Sequence, residues 1–265
     1  MPELAEVELS RRRWDVAWNA PIRAVRCARE TARVLRDVQL DAVREALTGA
    51  ALTHSEARGK QLAFRFGADR WLGVHLGMTG ELRVEAPDHE PARYDHLVIE
   101  TGEVALVFRD PRGFGRVRFD VGGDEPAWWS SLAPSVVGPA FTLAAVQGFL
   151  SRHARAPLKA VLLRQERFPG IGNWMADEIL WRAALHPARP AGALDDAEVA
   201  LLRRTVRRVA RDSVTAIADD WSYPPSWLFT HRWGDGNPCP RCRTTLRRAP
   251  IGGRTTCWCP RCQTG

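Results

Sequence analysis

Apolar residues recur along the chain with two different periods, and the change of period divides it. From Pro2 to about Trp18, Leu4, Val7, Trp14 and Trp18 fall at helical spacing. Pro2 suits a helix start, and Glu3 and Glu6 lie in the first turn, where the helix dipole favours acids. This spacing predicts a helix that ends near Asn19 and Pro21. From about 22 to 120 the period becomes two: Leu62, Phe64 and Phe66 alternate with Ala63 and Arg65, and Val104, Leu106 and Phe108 follow a Thr101-Gly102 turn. Several short strands joined by turns point to a β-sandwich or a barrel.

The texture from Gly122 to Pro139 is rich in Gly, Pro and Ser and reads as a linker. Helical spacing then returns. Thr142 can cap a helix carrying Leu143, Val146 and Phe149, and Pro157 can open another carrying Leu158, Val161 and Leu162. Asp195 can start a third, with Val199, Leu202, Val206 and Val209 on one face and Arg203, Arg204, Arg207, Arg208 and Arg211 largely on the other. That arginine face is read as a solvated surface in preference to a DNA contact.

Composition narrows the class. A chain of 265 residues, 45% hydrophobic and 26% charged, can build two compact units with real cores. A formal charge of +7 favours a polyanionic partner, because neutralising phosphates releases counterions. Of the 38 basic residues only Lys60 and Lys159 are lysines, so single arginines say little here and the lysines stand out. No stretch has the length of a membrane span, and MPELAEVELSRRR lacks the order of a secretory signal, so a cytoplasmic protein is expected.

In that compartment six cysteines read as metal ligands more readily than as disulfides. Cys239-Pro-Arg-Cys242 and Cys259-Pro-Arg-Cys262 are separated by sixteen residues, the spacing of a four-thiolate zinc ribbon. Four thiolates leave no open position, so one structural ion is expected. Cys257 has the wrong spacing for such a turn and is placed on a ribbon strand. Arg232, Arg241, Arg243, Arg247, Arg248, Arg254 and Arg261 surround a single acid, Asp235, as suits a nucleic-acid clamp. Upstream, QERFPGIGNWMADEILW at 165 to 181 places glycines just before an amphipathic helix, with Asn173 as a cap or side-chain donor. Such a turn either admits a phosphate to bare N–H groups or merely joins two helices.

Taken in series, MPELAEVE, ARGK at 57 to 60, HLGMTGELR at 75 to 83, DPRGFGR at 110 to 116, PGIGNWMADEILW at 169 to 181 and the terminal GRTTCWCPRCQ resemble the formamidopyrimidine-DNA glycosylase / endonuclease VIII family. The resemblance runs in order from residue 2 to residue 263. It implies that Pro2, freed by removal of Met1, is the nucleophile that attacks C1′ of a damaged nucleoside. It likewise implies that Glu3 is the acid catalyst at the opening sugar oxygen, that Glu6 assists, and that Lys60 contacts the phosphate near the lesion. Asn173 and Arg254 resemble the two phosphate clamps. Met78, Arg112 and Phe114 resemble the residues inserted into the stack where the base has left, although core packing is the plain alternative for Met78 and Phe114.

The expected fold is α+β and multi-domain. Residues 1–130 form an N-terminal helix and antiparallel β-sandwich, 131–230 a helical helix-two-turn-helix domain, and 231–265 a zinc ribbon. The expected activity is base excision coupled to abasic-site lyase cleavage on damaged, double-stranded DNA, by a monomer that associates with the nucleoid and needs no membrane. The alternative is a silent zinc-ribbon protein that binds damaged or abasic DNA. Three departures stand out: Ala5 replaces a usual proline, Gly113 a common second arginine, and Asp212 to Pro225 does not resemble the Thr- and Gly-rich loop that closes over 8-oxoguanine. Base choice therefore does not carry over.

Overall fold

The computed structural model describes residues 2–218 and 221–264. Its contacts divide the chain into one unit built on Glu6–Leu132 and another built on Glu3–Ala5 with Ala133–Gly265. In the first, α1 (Leu4–Trp14) and a 3-10 turn (Asp15–Ala17) lead to β1 (Ala24–Arg26), then α2 (Leu40–Leu47). Seven strands follow: β2 (Leu52–Arg58), β3 (Gln61–Phe66), β4 (Arg70–His75), β5 (Glu81–Glu85), β6 (Asp95–Glu100), β7 (Ala105–Arg109) and β8 (Arg116–Val121), before α3 (Ala127–Ser130).

The strands form two antiparallel four-stranded sheets, ordered β1-β6-β7-β5 and β2-β3-β4-β8. Their inner faces share one core. Leu62, Phe64, Phe66, Leu72, Val74 and Val117 from one sheet meet Val25, Leu82, Leu97, Ile99, Leu106 and Phe108 from the other, with Val7 and Trp14 of α1 completing it. This is a sandwich, as period-two alternation requires when one face of each strand is buried. The Trp14 ring lies 4.7 Å from Phe64, and its indole N–H donates to the Arg83 carbonyl at 3.1 Å.

Three local features differ from the spacing arguments. The helix starts at Leu4 and gives way to the 3-10 turn, so Trp18 leaves the helical face and is 45% exposed. The short helix α2 buries Leu40, Val43 and Leu47 inside a region whose period indicated strands alone. The predicted linker is partly structured: Trp129 is fully buried against Ala63 and Trp71, and Trp128 packs so close to Gly73 that a Cβ there would collide with its ring at 2.7 Å.

The second unit contains α4 (Leu143–Arg152), α5 (Leu158–Leu162), α6 (Asn173–Arg182), α7 (Asp196–Ala216) and the hairpin β9 (Arg247–Ile251) and β10 (Arg254–Trp258). Thr142 caps α4 by accepting from Ala145 N–H at 3.2 Å, and Asp195 and Glu198 form a reciprocal capping box on α7. The arginine face of α7 is only partly solvated. Arg203 donates to the Phe141 carbonyl at 2.7 Å, and Arg207 to the carbonyls of Gly138 and Val137 at 3.0 and 2.9 Å. These two guanidiniums satisfy backbone carbonyls of the segment before α4 that no helix or sheet pairs.

Candidate nucleic-acid site

Glu3 is 3% exposed, and it caps a helix other than its own. Its carboxylate accepts from the N–H groups of Gly172 at 2.9 Å, Trp174 at 3.0 Å and Met175 at 3.0 Å, at the start of α6. Those are orphan donors at the positive end of a helix dipole, so the carboxylate supplies the acceptors that a local Asp or Ser would otherwise provide. Gly172 is required by proximity: a Cβ there would fall inside the Glu3 carboxylate. The chain entry is fixed again by Leu4 N–H donating to the Gly170 carbonyl at 3.0 Å. Pro2, next to Glu3, is half-buried and precedes the helix, and Glu6 lies in the first turn of α1.

Asn173 opens α6 without capping it. Its side-chain amide donates to the Thr255 carbonyl on β10 at 3.0 Å, which brings it beside Arg254. Arg254 is exposed and follows a two-residue turn, Gly252-Gly253, with φ of 61° and 76°. Both residues need positive φ, as a type I′ hairpin demands. Gly252 also lies against α5, where a Cβ would stand 2.7 Å from that of Ala160.

Beneath this pair is a buried ionic hub that sequence reasoning missed. Lys159, fully buried, donates to the Asn173 carbonyl at 2.6 Å and to Asp177 at 2.5 Å. The other Asp177 oxygen accepts from Arg232 at 2.6 Å and from the Cys257 N–H at 3.1 Å. Burial pulls the Lys159 ammonium below its ordinary range, with Asp177 opposing. The other conspicuous lysine of the sequence is thus part of the scaffold.

The Sγ atoms of Cys239, Cys242, Cys259 and Cys262 all lie within 4.8 Å of one another. Three pairs measure 4.0, 3.5 and 3.4 Å, too long for disulfides. A tetrahedral ion with Zn–S of about 2.3 Å has sulfur edges of roughly 3.8 Å, so the quartet fits zinc. Trp181 steadies it by donating from its indole to Cys239 Sγ at 3.4 Å. Cys257 stands on β10 opposite Arg248, and burial pushes its thiol up to about 12.

In the sandwich unit two turns meet back to back. Gly77, with φ of 65°, approaches the Phe114-Gly115 backbone so closely that a Cβ would lie 2.5 Å from the Phe114 carbonyl carbon. Asp110, fully buried, ties the turns together: it accepts from Thr79 Oγ1 at 2.7 Å, Arg112 N–H at 3.2 Å and Gly115 N–H at 2.7 Å. Met78 and Phe114 consequently project, 39% and 48% exposed, which removes core packing as their explanation. The Arg112 guanidinium lies 5.1 Å from the centre of the Phe114 ring.

Lys60 sits in the two-residue turn between β2 and β3, after Gly59 at φ 66°. Gln61 and Arg116 flank His75 in register. A cavity of about 270 Å³ beside them is lined by Arg33, Arg36, Gln61, His75, Arg116 and Arg118, and only arginine spacing could have hinted at it. Burial, and then the charges of Lys60, Arg118 and Arg116, hold His75 below its usual range. Its Nδ1 accepts from Gly77 N–H at 3.1 Å, leaving Nε2 as a donor in a cavity rich in donors, a setting for phosphate.

The first turn of α6 and the segment after α7 together carry a further group of rings. Trp174 and Tyr223 centres are 4.7 Å apart, Trp174 and Phe229 5.1 Å, and Tyr223 and Trp227 5.3 Å.

Comparison with known proteins agrees along the whole chain. Residues 1–117 match the formamidopyrimidine-DNA glycosylase N-terminal domain, 132–222 its H2TH domain, and 236–265 the zinc finger found in FPG and IleRS. The formamidopyrimidine-DNA glycosylase of Geobacter metallireducens is 36% identical over 276 residues, covering all of both chains. That of Thermus thermophilus is 36% identical over 277 residues, covering 99% of this chain and 98% of its own. Among solved structures, the Lactococcus lactis enzyme bound non-covalently to DNA containing an abasic site superposes with a TM-score of 0.86 at 25% identity, covering 99% of this chain and 100% of that one.

Proposed function

Because the chain belongs to the formamidopyrimidine-DNA glycosylase family, a family of bifunctional glycosylases and abasic-site lyases, we propose that it excises oxidised bases from duplex DNA through the amine of Pro2. The reading is supported above all by Glu3: the residue after Pro2 is fastened by three N–H groups to α6, so the chain entry is held where a reaction can be organised around it.

Once Met1 is removed, Pro2 carries a secondary amine. A free α-amine titrates near about 8, so roughly a tenth is neutral at pH 7. Its lone pair forms a bond to C1′ as the glycosidic bond breaks towards the base, and the departing base nitrogen takes its proton from water. The amine proton passes to Glu3 and from there to the ring oxygen as the sugar opens. A secondary amine then yields only a cationic iminium, which withdraws electrons and acidifies C2′. Loss of that proton expels the 3′ phosphate, and a second elimination expels the 5′ phosphate. Glu6 assists beside Glu3, and Lys60 holds the phosphate next to the lesion.

In this reading, residues 1–130 carry the chemistry, while 131–230 and 231–265 grip the backbone through Asn173 and Arg254. Met78, Arg112 and Phe114 fill the vacated stack, since two apolar side chains and a guanidinium on a rigid pair of turns suit a wedge facing an orphaned base. Cys239, Cys242, Cys259 and Cys262 hold one structural zinc ion that stiffens the ribbon and takes no part in the sugar chemistry. Among the described residues no helix is long and apolar enough to cross a membrane. A monomer working in the cytoplasm on nucleoid DNA completes the proposal.

Borohydride reduction tests it. Protein lacking Met1 by intact mass should become covalently joined to abasic-site duplex, and Pro2→Gly should lose most of the adduct and of strand scission. Retention of Met1, or scission undiminished in Pro2→Gly, overturns the mechanism. Tight binding of abasic DNA without any adduct would mark a silent binding protein instead.

A further inference from the structure

Four exposed arginines, Arg29, Arg33, Arg93 and Arg112, line a cavity of about 360 Å³ in the sandwich unit, together with Tyr94, His96 and Asp110. In so arginine-rich a chain one guanidinium says little. Four around one hollow say more, because the acids next to them in sequence are engaged elsewhere. Glu30 pairs with Arg44, Glu90 with Arg26, and Asp95 with His89 and Arg109. Asp110, the carboxylate that reaches the hollow, is occupied by Thr79 and by the N–H groups of Arg112 and Gly115. Gathering like charges without a counter-charge is costly, and an anion entering the hollow would offset that cost.

The hollow is built, with a fixed rim and floor. Asp95, 2% exposed, ties both rims: its carbonyl accepts from Ala28 N–H at 3.0 Å, and its carboxylate accepts from Ala92 N–H at 2.9 Å. Arg29 and Arg93 are the residues that follow those two alanines. In the floor, Asp110 N–H donates to the Tyr94 carbonyl at 3.1 Å, and a His96 ring nitrogen lies 2.9 Å from the Asp110 carbonyl. The Arg93 guanidinium rests 5.1 Å from the centre of the Tyr94 ring.

This hollow shares Arg33 and Gly113 with the cavity around His75, so the turn that carries Arg112 and Phe114 has a basic recess at each end. Gln61, the residue after Lys60, lines the recess at the Phe114 end. If Lys60 holds the phosphate next to the lesion, that recess follows the damaged strand. A duplex has a second backbone, and Arg112, at the other end of the turn, faces the base that this second strand carries. We propose that the hollow between Arg29 and Arg93 seats a backbone phosphate of the undamaged strand, and that these two residues make the protein favour duplex over single-stranded DNA. The inference rests on the excision reading above.

The test uses the full chain and a preformed abasic site, placed once in a duplex and once in a single strand, with strand scission followed in single turnover below saturation. Each variant is read as its duplex rate divided by its own single-strand rate. Charged hydrogen bonds to one phosphate are worth roughly tenfold or more, so Arg29→Gln/Arg93→Gln should lower this ratio by about that factor. The slope of log affinity against log salt on the duplex should become shallower by about one, as loss of one phosphate contact requires. Arg118→Gln, in the other recess, should slow both substrates and leave the ratio within threefold of wild type. Arg29→Gln alone, read in the same way, serves if the double variant does not fold. Equal losses on duplex and single strand, an unchanged ratio, an unchanged salt slope, or a wild type with no preference for duplex would overturn the proposal. Failure of the Pro2 mechanism would appear differently, as no borohydride adduct between wild-type protein and either abasic substrate.

Discussion

The tip of the sandwich and the ribbon with the start of α6 both present side chains on tight glycine turns, yet they are held rigid by different physics. Met78, Arg112 and Phe114 stand on turns pinned by one buried acid, Asp110, above a core of 23 buried residues drawn from both sheets and the helices beside them. Asn173 and Arg254 stand over a cluster of six buried residues, three of them cysteines. A hairpin with so little apolar area cannot be stabilised by burial alone, so four thiolates and a buried ion hub replace hydrophobic core.

Metal removal should break the comparison most sharply. Structural zinc contributes about 10–16 kcal/mol in small fingers, more than the remaining contacts of this hairpin supply. Chelation, or Cys239→Ser, should expose the chain beyond residue 236 to protease and weaken DNA binding by roughly a hundredfold or more, while the sandwich keeps its slow-exchanging amides. A sandwich that melts in step with the ribbon would refute the contrast.

The two organising carboxylates should differ by a smaller margin. Asp177→Ala leaves Lys159 and Arg232 buried without their counter-charge, an expected loss of about 3–5 kcal/mol. Asp110→Ala leaves two N–H groups and a hydroxyl without an acceptor, about 2–3 kcal/mol. Urea denaturation of both variants measures the difference, and a larger loss in Asp110→Ala would reverse the assignment of which region depends more on its hub.

The smallest effect concerns His75. Because its folded-state pKa lies below the unfolded value of 6.5, the unfolded chain takes up a proton that the native site resists. Stability contributed at this position is therefore complete above about pH 6.5 and is lost as pH falls below it, by at most about 1.4 kcal/mol per pH unit. Thermal melting from pH 7 to pH 5 should fall less steeply in His75→Gln than in the wild type. Identical slopes would remove His75 from the account.

What the sequence disclosed depended on how far apart the partners lie. The Thr142 cap, the Asp195-Glu198 box and the two Cys-Pro-Arg-Cys turns each close within three residues, and short-range patterns carry them fully. Helix α2 was hidden because its eight residues are too short to display a period against neighbouring strands. Trp18 had the right spacing for a helix that the 3-10 turn at Asp15–Ala17 ends first. The hub lay beyond reach for another reason: Asp177 finds Lys159, Arg232 and Cys257 across 18, 55 and 80 residues, where no periodicity connects them. Glu3 is the extreme case, since its acid at a helix start looked like compensation for α1 while its donors lie about 170 residues away. The resemblance marked it as functional, and only the fold revealed which dipole it neutralises.

Asp177 has a physiological corollary. It joins the amide of Cys257, on the metal-bearing hairpin, to the lysine that grips the Asn173 carbonyl, at the turn where Glu3 is seated. A rivet shared in this way transmits loosening in both directions. A cell starved of zinc would carry protein whose sandwich of strands looks sound in every assay of folding, but whose Glu3 has slipped from the three N–H groups that seat it.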